Sequence, residues 1–364
     1  MNDVNKNIDD FFSNLIPSNA GKWVNLVYKD KLNIIKDFVY PDSVKQLRPG
    51  KGKQGVKMPG GPQYIVIHDT GMIHKDDDAK GLNRYIHAQA NSESGRVASW
   101  HFSIDDKDVY QHIPTDEIGW HAGDGGRAFG ETKYNERTMK YDIGGGNQNG
   151  IGIETCINPG NDYELTLKRT AKLVAMLLKQ YGLGLDRVKQ HFDFSSKECP
   201  NVIINSKGLW DVFMKDVEAH YLLDSLGEYE IKWVNNHPEI IKESGKIITP
   251  INDTLVTLQL EIVTNEKKKK YSYETLVKGL SEMEKIEKTL FDLYYTIPRK
   301  LKGNLYLPTI NNKYDTEISW ISSNTNVLTN EGIFKHNDEI KSIDLTANIK
   351  ANITYKKIIF NLFV

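Results

Sequence analysis

Two stretches decide how this chain folds: Tyr64-Ile-Val-Ile-His68-Asp-Thr70, and His191-Phe-Asp-Phe-Ser-Ser-Lys197-Glu-Cys199-Pro200. The first is a short apolar run entered through Gly60-Gly-Pro62, and such a run between turn residues reads as a buried strand. It ends in a histidine. Outward from it, Leu82, Tyr85, Ile86 and Gln89 are spaced for a helix. Trp100-His-Phe-Ser-Ile104 and Val109-Tyr-Gln-His-Ile113, with Asp105-Asp-Lys-Asp108 between them, predict a hairpin, and Gly150-Ile-Gly-Ile-Glu-Thr-Cys-Ile157 predicts a further strand. Within 163–181, Leu167, Thr170, Val174, Leu177, Leu178 and Tyr181 recur at helical spacing, with Gly182 where a C-terminal cap belongs. A last helix is expected near Leu209 to Leu222. Strands alternating with helices predict an α/β class with a central mixed β-sheet flanked by helices.

The chain has 364 residues, enough for two or three domains. Lys+Arg 47 against Asp+Glu 48 leaves a formal charge of -1, which excludes a global field toward nucleic acid or an anionic membrane. The apolar runs, such as Leu173–Leu178 and Ile358–Val364, are far shorter than the roughly 20 residues of a membrane span. The polar start Met1-Asn-Asp-Val-Asn-Lys-Asn-Ile-Asp-Asp has no basic and apolar segments of a secretory signal, so none is expected. Two cysteines, Cys156 and Cys199, cannot make a disulfide framework for this length.

His68, His191 and Cys199 together are borderline-soft N and S donors that suit a tetrahedral zinc ion with one position open. No fourth Cys or His is spaced nearby to close it as a structural site. The thiolate of Cys199 is the form that would bind, so it should be inert to thiol chemistry while metal is present.

Beyond residues 222–228 the character changes to short alternating strands with few glycines. An internal repeat runs there without a slip: Trp233, Gly245, Leu258 and Tyr271 recur 87 residues on as Trp320, Gly332, Leu345 and Ile358. The copies read Glu230-Ile-Lys-Trp-Val-Asn-Asn236 and Glu317-Ile-Ser-Trp-Ile-Ser-Ser323. Short alternating strands with a Trp and polar turns predict a β-sandwich in each copy. Between the copies Leu276, Leu280, Met283, Ile286, Leu290 and Tyr294 are spaced for a helix that ends before Pro298. Lys267–Lys270 is expected at a hairpin tip.

Taken with Trp100-His-Phe102, Gly119-Trp-His121-Ala-Gly123 and Gly152-Ile-Glu154, the two opening stretches resemble the zinc N-acetylmuramoyl-L-alanine amidases of the type-2 class, phage endolysins and peptidoglycan recognition proteins among them. The resemblance spans about residues 40–222. It implies one Zn2+ per catalytic domain held by His68, His191 and Cys199, and hydrolysis of the amide joining N-acetylmuramic acid to L-alanine in peptidoglycan. Such a site acidifies water from 15.7 toward about 7 and polarises the scissile carbonyl. Proton transfer to the leaving nitrogen needs a further group. Glu154 is the candidate, since an apolar strand around a carboxylate raises its pKa toward the working range. Lys197, two residues before Cys199, matches the family's oxyanion-stabilising lysine. Some members carry Tyr before the His-Phe pair; Trp100 stands there and cannot move a proton, so it is expected as a cleft wall. His121 and Thr70 are expected as substrate contacts. His101 is expected to be structural, Cys156 a small buried residue, and Gly144-Gly-Gly-Asn-Gln-Asn-Gly150 a flexible approach to the Glu154 strand.

Ile318-Ser-Trp-Ile-Ser-Ser-Asn324 resembles bacterial Ig-like domains. The expected organisation is an N-terminal extension packed on the catalytic domain (1–60), the catalytic domain (61–224), a first Ig-like repeat (225–278) and a helix with a second (279–364). Gly303-Asn-Leu-Tyr-Leu-Pro308 leads into copy two. The same offset places Met214–Ala219 opposite it in copy one, so copy one is expected to lack an opening strand. The expected setting is the bacterial cell wall, extracellular or reached by phage release, with Ig-like repeats that bind wall polymer, no nucleic-acid partner and no membrane insertion. A zinc peptidase cutting stem peptides, or a non-catalytic peptidoglycan-binding or adhesion protein, stays open as an alternative.

Overall fold

The computed structural model describes residues 2–15, 26–41, 43–52, 54–265, 267–337 and 339–364. The chain divides into two compact units, residues 1–247 with 257–275, and residues 248–256 with 276–364. The first unit runs α1 (Asn2–Ser13), β1 (Ile34–Lys36), β2 (Gly50–Lys51), β3 (Gln54–Gly55), β4 (Tyr64–Asp69), α2 (Ala79–Ala90), β5 (Phe102–Ile104), β6 (Val109–Gln111), β7 (Thr132–Asn135), β8 (Lys140–Ile143), α3 (Gly146–Asn149), β9 (Gly150–Thr155), α4 (Tyr163–Tyr181), β10 (Val188–Gln190), α5 (Phe192–Ser195), α6 (Asn201–Asn205) and α7 (Leu209–Leu223). The repeated region follows as β11 (Tyr229–Asn235), β12 (Thr254–Thr264), β13 (Lys268–Val277), α8 (Glu282–Thr296), β14 (Ile310–Asn311), β15 (Thr316–Ser322), β16 (Ser342–Ala351) and β17 (Thr354–Phe363).

The first unit is built on a six-stranded sheet in the order β1-β6-β5-β9-β4-β10. Only β5 and β6 run antiparallel, as a hairpin joined by one tight turn requires, so the sheet is mixed. One face buries Ile65, Ile67, Ile151 and Ile153 against Leu167, Val174 and Leu178 of α4 and Phe213 and Val217 of α7. Continuous apolar runs in β4 and β9 reflect that burial on both faces. Asp162 caps α4 at its start, and Gly182, at φ 64, ends it in a left-handed turn. The other face of the sheet carries Leu82 and Ile86 of α2, packed with Val39, Leu47, Trp100 and Cys156.

The flexible approach expected at 144–150 is instead ordered and buried. The Asp124 carboxylate accepts the backbone N–H groups of Gly146 and Asn147, and Asn149 donates to the carbonyls of Pro59 and Gly61. A glycine-rich string is stiff once its amides have fixed partners.

In the repeated region β11, β12 and β13 form one antiparallel sheet, and β14, β15, β16 and β17 another. Strands, the bridge pairs Ile241–Ile247 and Leu328–Phe334, and the left-handed glycines Gly245 (φ 88) and Gly332 (φ 89) all recur 87 residues apart. The two-sheet sandwich is not what faces these strands among the described residues. In the second unit the inner face of β15–β17, with Trp320, Leu345 and Ile349, is covered by Ile286 and Leu293 of α8. Ser281 and Glu284 close a capping box at the start of α8, and the helix stops before Pro298 as its spacing predicts. Leu276 and Leu280, expected in this helix, lie before its start. Of the four lysines expected at a hairpin tip, Lys267 lies in the turn between β12 and β13, its carbonyl accepting the Thr264 N–H, whereas Lys268 and Lys270 are in β13 and both pair with Glu261, and Lys269 pairs with Asp9.

Candidate active site

Strand register brings the chemistry together. Residue 68 of β4 lies directly beside residue 154 of β9, and residue 67 beside residue 190 of β10. His68 has the parity of Tyr64 and Val66, so it turns to the face opposite the Ile65–Ile67 core, as does Glu154 beside it. His191 is the first residue beyond β10, its N–H bonded to the Ile67 carbonyl at 3.2 Å. Cys199 returns from the α5 loop, which is closed by Phe192 N–H donating to the Cys199 carbonyl and by Val202 N–H donating to the Asp69 carboxylate. The group therefore forms at the carboxyl ends of parallel strands, where loops converge on an open α/β sheet.

One ligand atom from each of His68, His191 and Cys199 lies within 4.8 Å of the others, and all three residues are buried. His68 Nδ1 is 3.0 Å from His191 Nδ1 and 3.8 Å from Cys199 Sγ. Burial holds the His68 imidazole well below its usual range and lowers His191 to about 4, so both rings are neutral, as metal binding requires. Burial, with the neighbouring Glu154 and Asp69 carboxylates adding to it, pushes the Cys199 thiol up to about 12. Three N and S lone-pair donors thus converge on one point, a donor set that fits a zinc ion.

His121 fixes the tautomer of His68. Its Nε2 lies 3.0 Å from the Gly150 carbonyl, an acceptor only, so this nitrogen carries the proton. Its Nδ1 then accepts from His68 Nε2 at 3.1 Å, and the His68 Nδ1 lone pair is left facing Cys199 and His191. His121, expected as a substrate contact, does line the cleft shared by Glu154 and Lys197, though it is 6% exposed and both its ring nitrogens have partners within the protein. Gly152 makes this possible, since a Cβ there would stand 2.7 Å from the His121 ring. The Asn147 side-chain oxygen accepts the N–H groups of His121 and Ala122 and fixes that loop from the other side.

Glu154 lies with Oε1 4.0 Å from His68 Nδ1, while its Oε2 is buried without a hydrogen-bond partner. Burial raises its carboxyl to about 8, with Lys197 pulling the other way. Lys197 is exposed and shares with Glu154 a cleft of about 240 Å³. Thr70 is half-buried on the same cleft, its hydroxyl 3.3 Å from the Met72 N–H. Trp100 contributes to the lining but is 7% exposed, and its indole N–H donates to Ser103 at 2.7 Å, so most of the ring is core. Tyr85 and Gln89 of α2, together with Arg96, complete the wall. Sequence reasoning saw the first two only as a helix face, and Arg96 carried no signal of spacing.

His101 is structural as expected: its Nδ1 accepts from Gly152 N–H and its Nε2 donates to the Glu117 carbonyl. Cys156 is buried in the α2 core, off the cleft. Buried carboxylates held by a cation include Glu117, gripped by Arg48, and Asp216, paired with Lys168; Glu154 is not so held. No described helix is long and apolar enough to cross a membrane.

Residues 58–202 match a protein family described as N-acetylmuramoyl-L-alanine amidase. The N-acetylmuramoyl-L-alanine amidase CwlA of Bacillus subtilis (strain 168) is 31% identical over 268 residues, 70% of this chain and 80% of that protein. From the same organism, the amidase CwlH is 35% identical over 43% of this chain and 54% of its own length, and the amidase XlyA 32% identical over 50% of each. The chain thus spans about half the length of these last two relatives.

Proposed function

This chain belongs to the N-acetylmuramoyl-L-alanine amidase family, and from that premise we propose that it hydrolyses the amide between N-acetylmuramic acid and L-alanine in bacterial peptidoglycan. The observation that carries this reading is the convergence of His68, His191 and Cys199 beside Glu154, whose Oε2 is buried without a hydrogen-bond partner and so is free to exchange a proton with water and leaving group. These three residues would hold a zinc ion, which when bound supplies a Lewis acid for the scissile carbonyl and for water.

The chain's own groups do the rest. Glu154 takes a proton from the attacking water as the O–C bond forms, then delivers it to the L-alanine nitrogen as the C–N bond breaks. The products are a muramyl carboxylate and a free amine. The Lys197 ammonium neutralises the carbonyl oxygen as charge develops on it. His121 keeps His68 in the Nδ1-open tautomer, the positioning role that supports a metal-binding histidine. Thr70 and the Tyr85 side of the cleft meet the glycan or stem peptide. The repeated, helix-covered C-terminal sheets hold wall polymer and so keep the activity at the bacterial cell wall.

Digestion of purified peptidoglycan, with the new ends identified by mass spectrometry, tests the reading. Metal-dependent release of intact stem peptides with a free L-alanine amine is expected. Cuts inside the peptide would replace the bond assigned here, and wall binding without soluble products would remove the catalytic role.

A further inference from the structure

The helix that precedes the first repeat copy, α7, packs on the catalytic sheet through Phe213 and Val217, whereas α8, which precedes the second copy, covers the inner face of that copy's own strands, so β11–β13 need another cover. The cover comes from the other end of the chain. Ile8 and Phe12 of α1 are fully buried, the Phe12 ring lies 5.5 Å from that of Tyr271, and the Tyr273 hydroxyl donates to the Phe12 carbonyl at 2.7 Å. Asp9 accepts from Lys269 and Tyr271.

This arrangement repeats that of the second copy residue by residue. Trp320 N–H donates to the Pro308 carbonyl at 2.8 Å, and Trp233 N–H to the Val27 carbonyl at 3.2 Å. The Trp320–Phe360 rings stand at 6.2 Å and 40°, and the Trp233–Tyr273 rings at 6.1 Å and 41°. Val27 and Pro308 are 281 positions apart. At the same offset buried Phe12 meets buried Leu293, Ile8 meets Thr289, Leu26 meets Leu307, and the sequence Ile16-Pro17 meets Ile297-Pro298. The register does not slip.

We infer that residues 2–15, 26–28 and 229–277 belong to one module, equivalent to 283–296, 307–309 and 316–364, and that the whole catalytic domain is inserted into it at the position of a short hairpin turn. In the second copy that turn is the stretch between β14 and β15, where Asn311 pairs with Thr316. In the first, the chain leaves at Tyr28 and returns at Tyr229. The first copy's lead-in therefore ends at Leu26–Val27, the equivalents of Leu307–Pro308, rather than at Met214–Ala219, which belongs to α7. The N-terminal helix, expected as an extension of the catalytic domain, is a part of the repeat that also touches α7. A catalytic domain anchored at both ends of its insertion has no single flexible tether to swing on.

A protease site placed in the exposed turn at Ser225–Glu228 of the full-length chain tests this. After cleavage the two fragments should stay associated on native gel filtration, because α1 of one is docked on the strands of the other. In Phe12→Asp the cut fragments should separate. Separation of the fragments without that substitution, or persistence of the complex with it, overturns the inference. Should Phe12→Asp fail to fold, Phe12→Ala in the uncut chain is read by hydrogen exchange. Amides of β11 and of 268–275 should exchange about 100-fold faster, in keeping with truncation of a buried phenylalanine, with β4 and β9 unchanged. Faster exchange in α7 and the catalytic strands, with β11 and 268–275 unchanged, would instead return α1 to the catalytic domain.

Discussion

At the scale of single residues, the site depends on which groups stay neutral. Glu154 in a desolvated strand keeps its proton up to about 8 in the metal-free protein. Glu154→Gln is expected to lower kcat/KM by about 10²–10⁴-fold while zinc content, read by elemental analysis, stays at one per chain. The same residue sets a pH dependence when zinc is chelated. A raised carboxyl pKa contributes stability that is fully present below about 4.5 and lost as pH rises through about 8. Glu154→Gln stays neutral throughout, so in EDTA the variant should gain on the wild type between those pH values, by on the order of 3 kcal/mol in thermal or urea unfolding. Parallel curves across that range would show that Glu154 is not desolvated. His121→Ala should weaken zinc binding by about 10–100-fold in a chelator competition, because His68 then loses the acceptor that fixes its tautomer. The ligand set itself was legible in the sequence because few other roles use two His and a Cys with this flanking pattern. The part played by His121 was not, since it depends on a ring orientation that Gly152, 31 positions away, allows.

At the scale of elements, periodicity and caps carried most of the reading. β4, β9 and α4 are apolar runs or stripes bounded by Gly, Asp or Pro, so local physics and packing agree on them. The start of α8 was less legible, because Leu276 and Leu280 share its spacing but belong to the strand and turn before Ser281. The cap decides that boundary: Ser281 accepts the Glu284 N–H, and Glu284 reaches back to the Ser281 N–H. Ser281→Ala should cost about 1 kcal/mol of local stability, seen as faster hydrogen exchange in residues 282–286 with catalysis unchanged. No change there would mean that packing by Ile286 and Leu293 sets the helix start unaided.

At the scale of the whole molecule, the proposed zinc ion would bind only the folded catalytic domain. Removing it should therefore lower the thermal transition reported by the strands around His68 and leave that of β15–β17 in place; metal present at 100 times its Kd contributes about 2.7 kcal/mol. A uniform shift of both would mean that the two units unfold as one. Taken by itself, the sequence determined the α/β class, the cluster of His68, His191 and Cys199, the carboxylate Glu154 beside it and the 87-residue repeat, because burial periodicity and rare donor combinations are local properties of a chain. Only the tertiary structure decided what covers each repeat sheet. α1 and α8 share a position against their sheets but scarcely a residue, since a covering helix needs apolar side chains at the right spacing and not particular ones. The contact of α1 and of Val27 with β11–β13 spans the full catalytic domain, and the 87-residue period of the strands does not record it.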